Sequence, residues 1–261
     1  MIDLPAPALI GVIHLQALPG SPGHLLDMDE IVARAVADAA TIEDAGFDAC
    51  IVENFGDTPF PPGALSPASL AAMAVAADHV RRKTTLKVGI NALRNDARGA
   101  LGIAVATGAS FIRVNVHTGV YATDQGILEG RADRTLRDRK QLGQRVAIFA
   151  DVNVKHATPI SQPDIGRAAK DAAYRGMADA LIVTGRATGE SASLEELRKV
   201  KQAVPDRRLF VGSGATIETV TELLGVADGV IVGSGIKPGG DTSRPIDSQI
   251  AHAFAHRAGR S

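Results

Sequence analysis

A chain of 261 residues with 45% apolar and 22% charged residues has the size and core-forming content of a single α/β barrel. Its net charge of −1 and its 3% aromatic content, with no tryptophan, argue against a general pull toward nucleic acid or an anionic membrane. One cysteine, Cys50, rules out an intrachain disulfide, and no run approaches the length of a membrane span. A single thiol and an N-terminal stretch without the form of a signal peptide lead us to expect a soluble cytoplasmic protein.

Short apolar runs alternate with helical stretches along the whole chain. The first strand-like run, Ala8–Leu15, carries His14 at its end and leads to a helical stretch over Met28–Ala45. Ala49–Asn54 ends in Glu53 and Asn54 and precedes a helical pattern over Pro67–Arg81. Leu86–Asn91 ends at Asn91, with Arg94, Asn95 and Asp96 just beyond, and Ala97–Thr107 follows as a helix. The fourth run, Phe111–Val116, carries Arg113, Asn115 and His117 at alternate positions. The segment 118–144 then reads as an elaborated loop plus a charged helix, and the run of charges as a solvated face. Val146–Val152 continues the alternation with Asp151, Asn153 and Lys155, followed by His156 and a helix over Pro163–Tyr174. Ala180–Thr184 runs toward Arg186, and Ser193–Ala203 is helical. The last two runs, Leu209–Gly212 and Gly229–Gly233, each end in Gly-Ser-Gly. Eight strand–helix units predict one (β/α)8 TIM barrel spanning residues 1–261.

Residues two apart share a face of a strand, so the polar set at the strand ends faces the barrel axis and the apolar set faces the helices. In such barrels the chemistry sits at the C-terminal ends of the strands. The paired turns Gly212-Ser213-Gly214 and Gly233-Ser234-Gly235, placed after strands 7 and 8, suit a phosphate held by backbone N–H groups, with Lys237 as a candidate helper. Glu53 and Asp151 are the candidates for general acid/base work, and His14 and His117 for proton transfer. Lys155 is the candidate for stabilising an enolate-like charge or forming a Schiff base. Asn91, Arg113, Asn115, Asn153 and Thr184 complete the expected substrate contacts. Glu53 and Asp151 have the oxygen chemistry for a divalent cation, although no His-x-His or His-x₃-His spacing points to a metal or other cofactor. Each group also has a structural reading, such as a Glu53 ion pair with Lys155 or Arg113. The loops 19–23 and 57–63 are candidates for covering the pocket.

Five segments carry a family resemblance: GVIHLQALPGSP at 11–22, ENFGDTPF at 53–60, LRND at 93–96, FIRVNVHTG at 111–119 and ADVNVKHA at 150–157. The chain resembles the BtpA/SgcQ family essentially from end to end, with Ala92 standing where that pattern has a bulkier aliphatic residue. The resemblance implies a ribulose-phosphate-binding type of barrel. The family is named for a role in photosystem I biogenesis, yet relatives occur in organisms without photosynthesis.

The expected function is an enzyme acting on a small phosphorylated metabolite, a sugar phosphate or a nucleoside-like phosphate, by acid/base chemistry. Isomerase, lyase and hydrolase are all open. The alternative is an assembly or stability factor for a membrane complex such as photosystem I, without catalysis. Expected partners are the phosphorylated ligand and, by analogy with other barrels, a second copy of the chain in a homo-oligomer.

Overall fold

Side chains along each strand alternate between two environments, and this alternation positions everything else. The computed structural model describes residues 2–143, 145–154, 157–161, 164–185 and 192–260, with the backbone alone at Asn153. In chain order the elements begin β1 (Ala8–His14), α1 (Met28–Asp44), β2 (Ala49–Glu53), α2 (Pro67–Lys83), β3 (Lys87–Asn91), α3 (Ala97–Thr107) and β4 (Phe111–Val114). A hairpin of β5 (Val120–Thr123) and β6 (Gly126–Glu129) follows, then α4 (Ala132–Gln141), β7 (Ala147–Asn153), β8 (Ala157–Pro159) and α5 (Ile165–Lys170). The chain finishes with β9 (Ala180–Val183), α6 (Leu194–Ala203), β10 (Arg208–Val211), α7 (Val220–Leu224), β11 (Gly229–Val232) and α8 (Ser248–Arg257). Eight of these strands close into a parallel barrel in the order β1-β2-β3-β4-β7-β9-β10-β11.

The lumen is a core of its own, built from residues such as Ile10, Ile51, Phe111, Phe149, Ile182, Phe210 and Ile231. Phe111, Phe149 and Phe210 pack in series, with ring centroids 4.6 and 5.0 Å apart. Gly89 leaves room for this plug, since a Cβ there would strike the Phe111 ring. The alternate residues, among them Leu9, Ile13, Val52, Ile90, Ile112 and Ile148, pack outward in the shell under the helices. Cys50 belongs to that shell, and burial, aided by Glu43, pushes its thiol up to about 12, so it is no thiolate at neutral pH.

The helices begin where side chains cap them. Asp27, Ser66 and Asp96 accept from the first-turn amides of α1, α2 and α3, and Gly108 ends α3 in the left-handed conformation at φ +74°. The segment after the first Gly-Ser-Gly is not helical at once: a turn over 215–219 precedes α7, which has five residues.

The long segment after β4 contains the expected helix, α4, but its loop is a hairpin. β5 and β6 pair antiparallel, and β8 joins β5 from the far side of β7, making a three-stranded sheet beside the barrel. β5 and β6 each bury one residue, so neither shows the continuous apolar run that marks the equally short barrel strands. The Tyr121 hydroxyl donates to the Val152 carbonyl at 2.9 Å and pins this sheet to β7.

Candidate functional site

Strand register assembles the rim. His14 lies opposite Glu53, and Glu53 opposite Asn91, across β1, β2 and β3. Each stands in the lumen-facing phase, above the phenylalanine plug. His14 Nε2 is 3.8 Å from Glu53 Oε1, with both side chains almost fully buried.

Across the barrel, Arg113 and Asp151 form a forked pair, Nε to Oδ1 and Nη2 to Oδ2, both at 3.0 Å. Asn115 Nδ2 donates to the same carboxylate at 2.9 Å. Asn91 Nδ2 donates to Asn115 Oδ1 at 3.1 Å and to the Arg113 carbonyl at 3.3 Å, bracing the pair from β3. Burial by itself would lower the Arg113 pKa, but Asp151, helped by Glu53, raises it above its ordinary value, so the guanidinium stays charged. Three donors already engage Asp151. Its carboxylate is held by these hydrogen bonds, and Arg113 makes its forked pair with it.

These side chains open onto a cavity of about 250 Å³ lined by His14, Glu53, Arg94, Arg113, Asn115 and Asp151. Both turns, Gly212-Ser213-Gly214 and Gly233-Ser234-Gly235, line the same cavity. The glycines make space for the site itself. A Cβ at Gly233 would lie 2.7 Å from His14 Cε1, and one at Gly212 would lie 2.6 Å from the Thr184 methyl and 3.3 Å from Arg113 Nη2. Gly235 has no such latitude, because a Cβ there would run into the Ala215 backbone carbonyl. Gly214 adopts φ +74°. The Ser213 hydroxyl is buried in the wall without a hydrogen-bond partner among the described residues.

Other expected residues go elsewhere. Asn91 and Thr184 are buried and do not line the cavity. His117 leaves the site altogether: its Nε2–H donates to the Gly176 carbonyl at 2.8 Å, and it is fully buried. The strand phase that predicted it would face the axis fails because β4 ends at Val114. Lys237 also turns away, donating to the carbonyls of Thr242 (3.1 Å) and Arg244 (2.6 Å) beside Asp38 at 3.8 Å. Lys155, His156, Arg186 and the Asn153 side chain lie outside the described residues. Among the described residues no three His, Cys, Asp or Glu side chains come together as metal ligands.

Burial holds His117 below the ordinary histidine pKa, and Arg139 adds to the effect, against the Gly176 hydrogen bond and Asp179. The unfolded chain therefore binds more protons than the folded one below about pH 6.5. This part of the stability is fully present above that pH and is lost as pH falls toward the folded pKa. His117→Gln is expected to flatten the decline, by at most about 1.4 kcal/mol per pH unit. Urea midpoints at pH 7.5 and 5.5 check this, and identical declines for both proteins would refute it.

Phe55, Phe60, Leu93 and Thr242 also line the cavity, as does Arg94, which sequence reasoning placed near the rim but not in the site. Burial lowers the Arg94 pKa, opposed by Asp151, by Asp124 on the β5–β6 turn and by Glu53. Asn54, Asn95 and Asp96, polar residues at the same rim, hold backbone. Asn54 Oδ1 accepts from Leu93 N at 2.7 Å, and Asn95 Oδ1 from Val116 N at 2.8 Å. Asp96 Oδ2 accepts from Leu65 N at 2.9 Å. The loop 57–63 reaches the cavity through Phe60, whereas 19–23 contributes no wall residue. A larger open hollow of about 1140 Å³ lies at the opposite end of the barrel, around Lys87, Ser110 and Asp179. None of the polar C-terminal strand ends reaches it.

The fold has close structural counterparts. Geranylgeranylglyceryl phosphate synthase from Thermoplasma acidophilum, solved with sn-glycerol-1-phosphate, superposes with a TM-score of 0.61 at 18% identity, covering 97% of this chain and 93% of that one. Phosphoribosyl anthranilate isomerase from Thermus thermophilus gives 0.58 at 13% identity, covering 97% and 98%. Among the described residues no helix is long and apolar enough to cross a membrane. By sequence, the photosystem I biogenesis protein BtpA of Synechocystis is 44% identical over 94% of this chain and 86% of its own length. An uncharacterized protein of Pyrococcus furiosus is 46% identical over 96% and 94%. A Caenorhabditis elegans protein is 35% identical over 95% and 91%. The BtpA family model matches residues 6–260, and with these relatives the chain belongs to the BtpA family.

Proposed function

We propose that the protein is an enzyme that acts on a small phosphorylated metabolite by acid/base chemistry at the C-terminal mouth of the barrel. One observation carries this reading: a single cavity is lined by both Gly-Ser-Gly turns and by the His14–Glu53 pair. The turn amides and the Ser213 hydroxyl would bind the phosphate without a lysine, since Lys237 is committed elsewhere. The cavity lies at the small end of ligand sites, which suits a metabolite rather than a dinucleotide. That a barrel of this shape binds sn-glycerol-1-phosphate supports the reading by analogy of fold.

Glu53 and His14 would move a proton on a substrate anchored by its phosphate. Arg94 and the Arg113 guanidinium, held in place by Asp151, would supply fixed positive charge where negative charge develops. Proton transfer beside a phosphate-anchored carbon serves an isomerase, a lyase or a hydrolase.

Calorimetry with ribose 5-phosphate tests the phosphate anchor. Gly235→Ala, which must displace the Ala215 carbonyl, is expected to weaken binding by about tenfold or more. Equal affinity in the variant, or no binding to the wild type, would remove the phosphate from the proposal. The name of the Synechocystis relative favours a second reading, a non-catalytic assembly factor. Substitution of Glu53 separates the two.

A further inference from the structure

The chain has seven phenylalanines. Five of them, Phe47, Phe111, Phe149, Phe210 and Phe254, are buried in the core. The two that are not, Phe55 and Phe60, both wall the candidate site. Phe55 packs one side against His14, with ring centroids 4.7 Å apart, yet remains 36% exposed. Phe60 stands edge-on to it at 6.3 Å. Bracing His14 needs only Phe55. It does not explain a second aromatic ring placed beside the first at the mouth of the same cavity.

Order along the cavity wall gives these rings a role. Gly233 lies beside His14, where a Cβ would meet the imidazole, His14 packs on Phe55, and Phe55 meets Phe60 edge-on, so the wall runs from a candidate phosphate-binding turn through the His14–Glu53 pair to an apolar, aromatic end. The Arg94 backbone meets the same end, its amide donating to the Pro61 carbonyl next to Phe60. Two neighbouring rings make a surface for a flat, partly apolar group.

We propose that Phe55 and Phe60 form a subsite for a planar ring. The phosphorylated metabolite is then a phosphate ester that also carries an aromatic base or a similar ring, of the nucleoside 5′-monophosphate type, rather than a plain sugar phosphate. This rests on the phosphate reading of the two turns. The ring stacks on the exposed side of Phe55, the ribose-like centre lies at His14 and Glu53, and the phosphate reaches the Gly-Ser-Gly turns.

The test compares adenosine 5′-monophosphate, ribose 5-phosphate and adenosine by calorimetry on the wild type, Phe55→Ala, Phe55→Tyr and Gly235→Ala. The wild type is expected to bind the monophosphate about tenfold or more tighter than ribose 5-phosphate. Phe55→Ala should remove that advantage while leaving ribose 5-phosphate within about twofold, and Phe55→Tyr should restore it. Equal loss for both phosphates would show that Phe55 only positions His14, and would overturn the proposal. So would a wild type that does not prefer the monophosphate. Adenosine binding that depends on Phe55 but not on Gly235 would keep the ring subsite and remove the phosphate anchor, so the two failures are distinguishable.

Discussion

Asp151→Ala is expected to destabilise the protein by about 3–5 kcal/mol, because it leaves the Arg113 guanidinium buried without its counter-ion. Asn91 and Asn115 are neutral, and Glu53, which stands beside His14, acts on Arg113 through its charge without the forked hydrogen bonds that Asp151 supplies. For a chain of this length such a loss lowers the melting temperature on the order of 10 °C. The forked geometry makes the prediction specific, since Asp151→Asn can keep at most part of the hydrogen bonding and none of the charge. The double variant Arg113→Met, Asp151→Leu is expected to recover most of the loss, because breaking a buried pair costs far more than replacing it with apolar groups. Thermal melts of the variants check this. An Asp151→Ala protein melting within a degree or two of the wild type would show that Arg113 can reach solvent in the folded state.

Glu53→Gln carries the largest expected effect on function. The substitution keeps the shape and the hydrogen-bonding capacity but removes the proton acceptor beside His14. Turnover of a phosphorylated substrate, followed by phosphorus NMR on a panel of sugar and nucleoside phosphates, should fall about 10²–10⁴-fold. Affinity for the same compound should stay within about tenfold, since Glu53 belongs to neither of the turns proposed to hold the phosphate. A scaffold protein would be indifferent to this change. Undiminished turnover would assign the proton transfer to another group.

Much of the barrel is legible in the sequence because a parallel strand buried on both faces reads as a short, nearly continuous apolar run. The runs ending at His14, Glu53 and Asn91 display their own end points, because polarity returns where the lumen opens. The β5–β6 hairpin and β8 are not legible, since VYAT, GILE and ATP are mostly exposed or half-buried and so short that they show neither a period nor an apolar run. Phase also misleads beyond the end of a strand. Arg113 and Asn115 keep the inward alternation, whereas His117, in the same sequence phase, has left the strand and bonds Gly176.

The candidate site divides in the same way. The residue types that gather at the rim are visible in order along the chain, as are the two Gly-Ser-Gly turns. The pairings are not. Arg113 could have met either carboxylate, Lys237 could have faced the cavity, and Arg94, Phe55 and Phe60 carry no local mark that sends them into the wall. The sequence by itself determined the barrel, the end at which polar groups collect and the place of the glycine turns, because these follow from local periodicity and backbone freedom. Tertiary structure alone decided which charges neutralise each other and which side chains share the cavity. Those outcomes depend on register across β1–β2–β3 and across β4–β7, and on loops whose paths are set by distant hydrogen bonds such as those of Asn54 and Asn95.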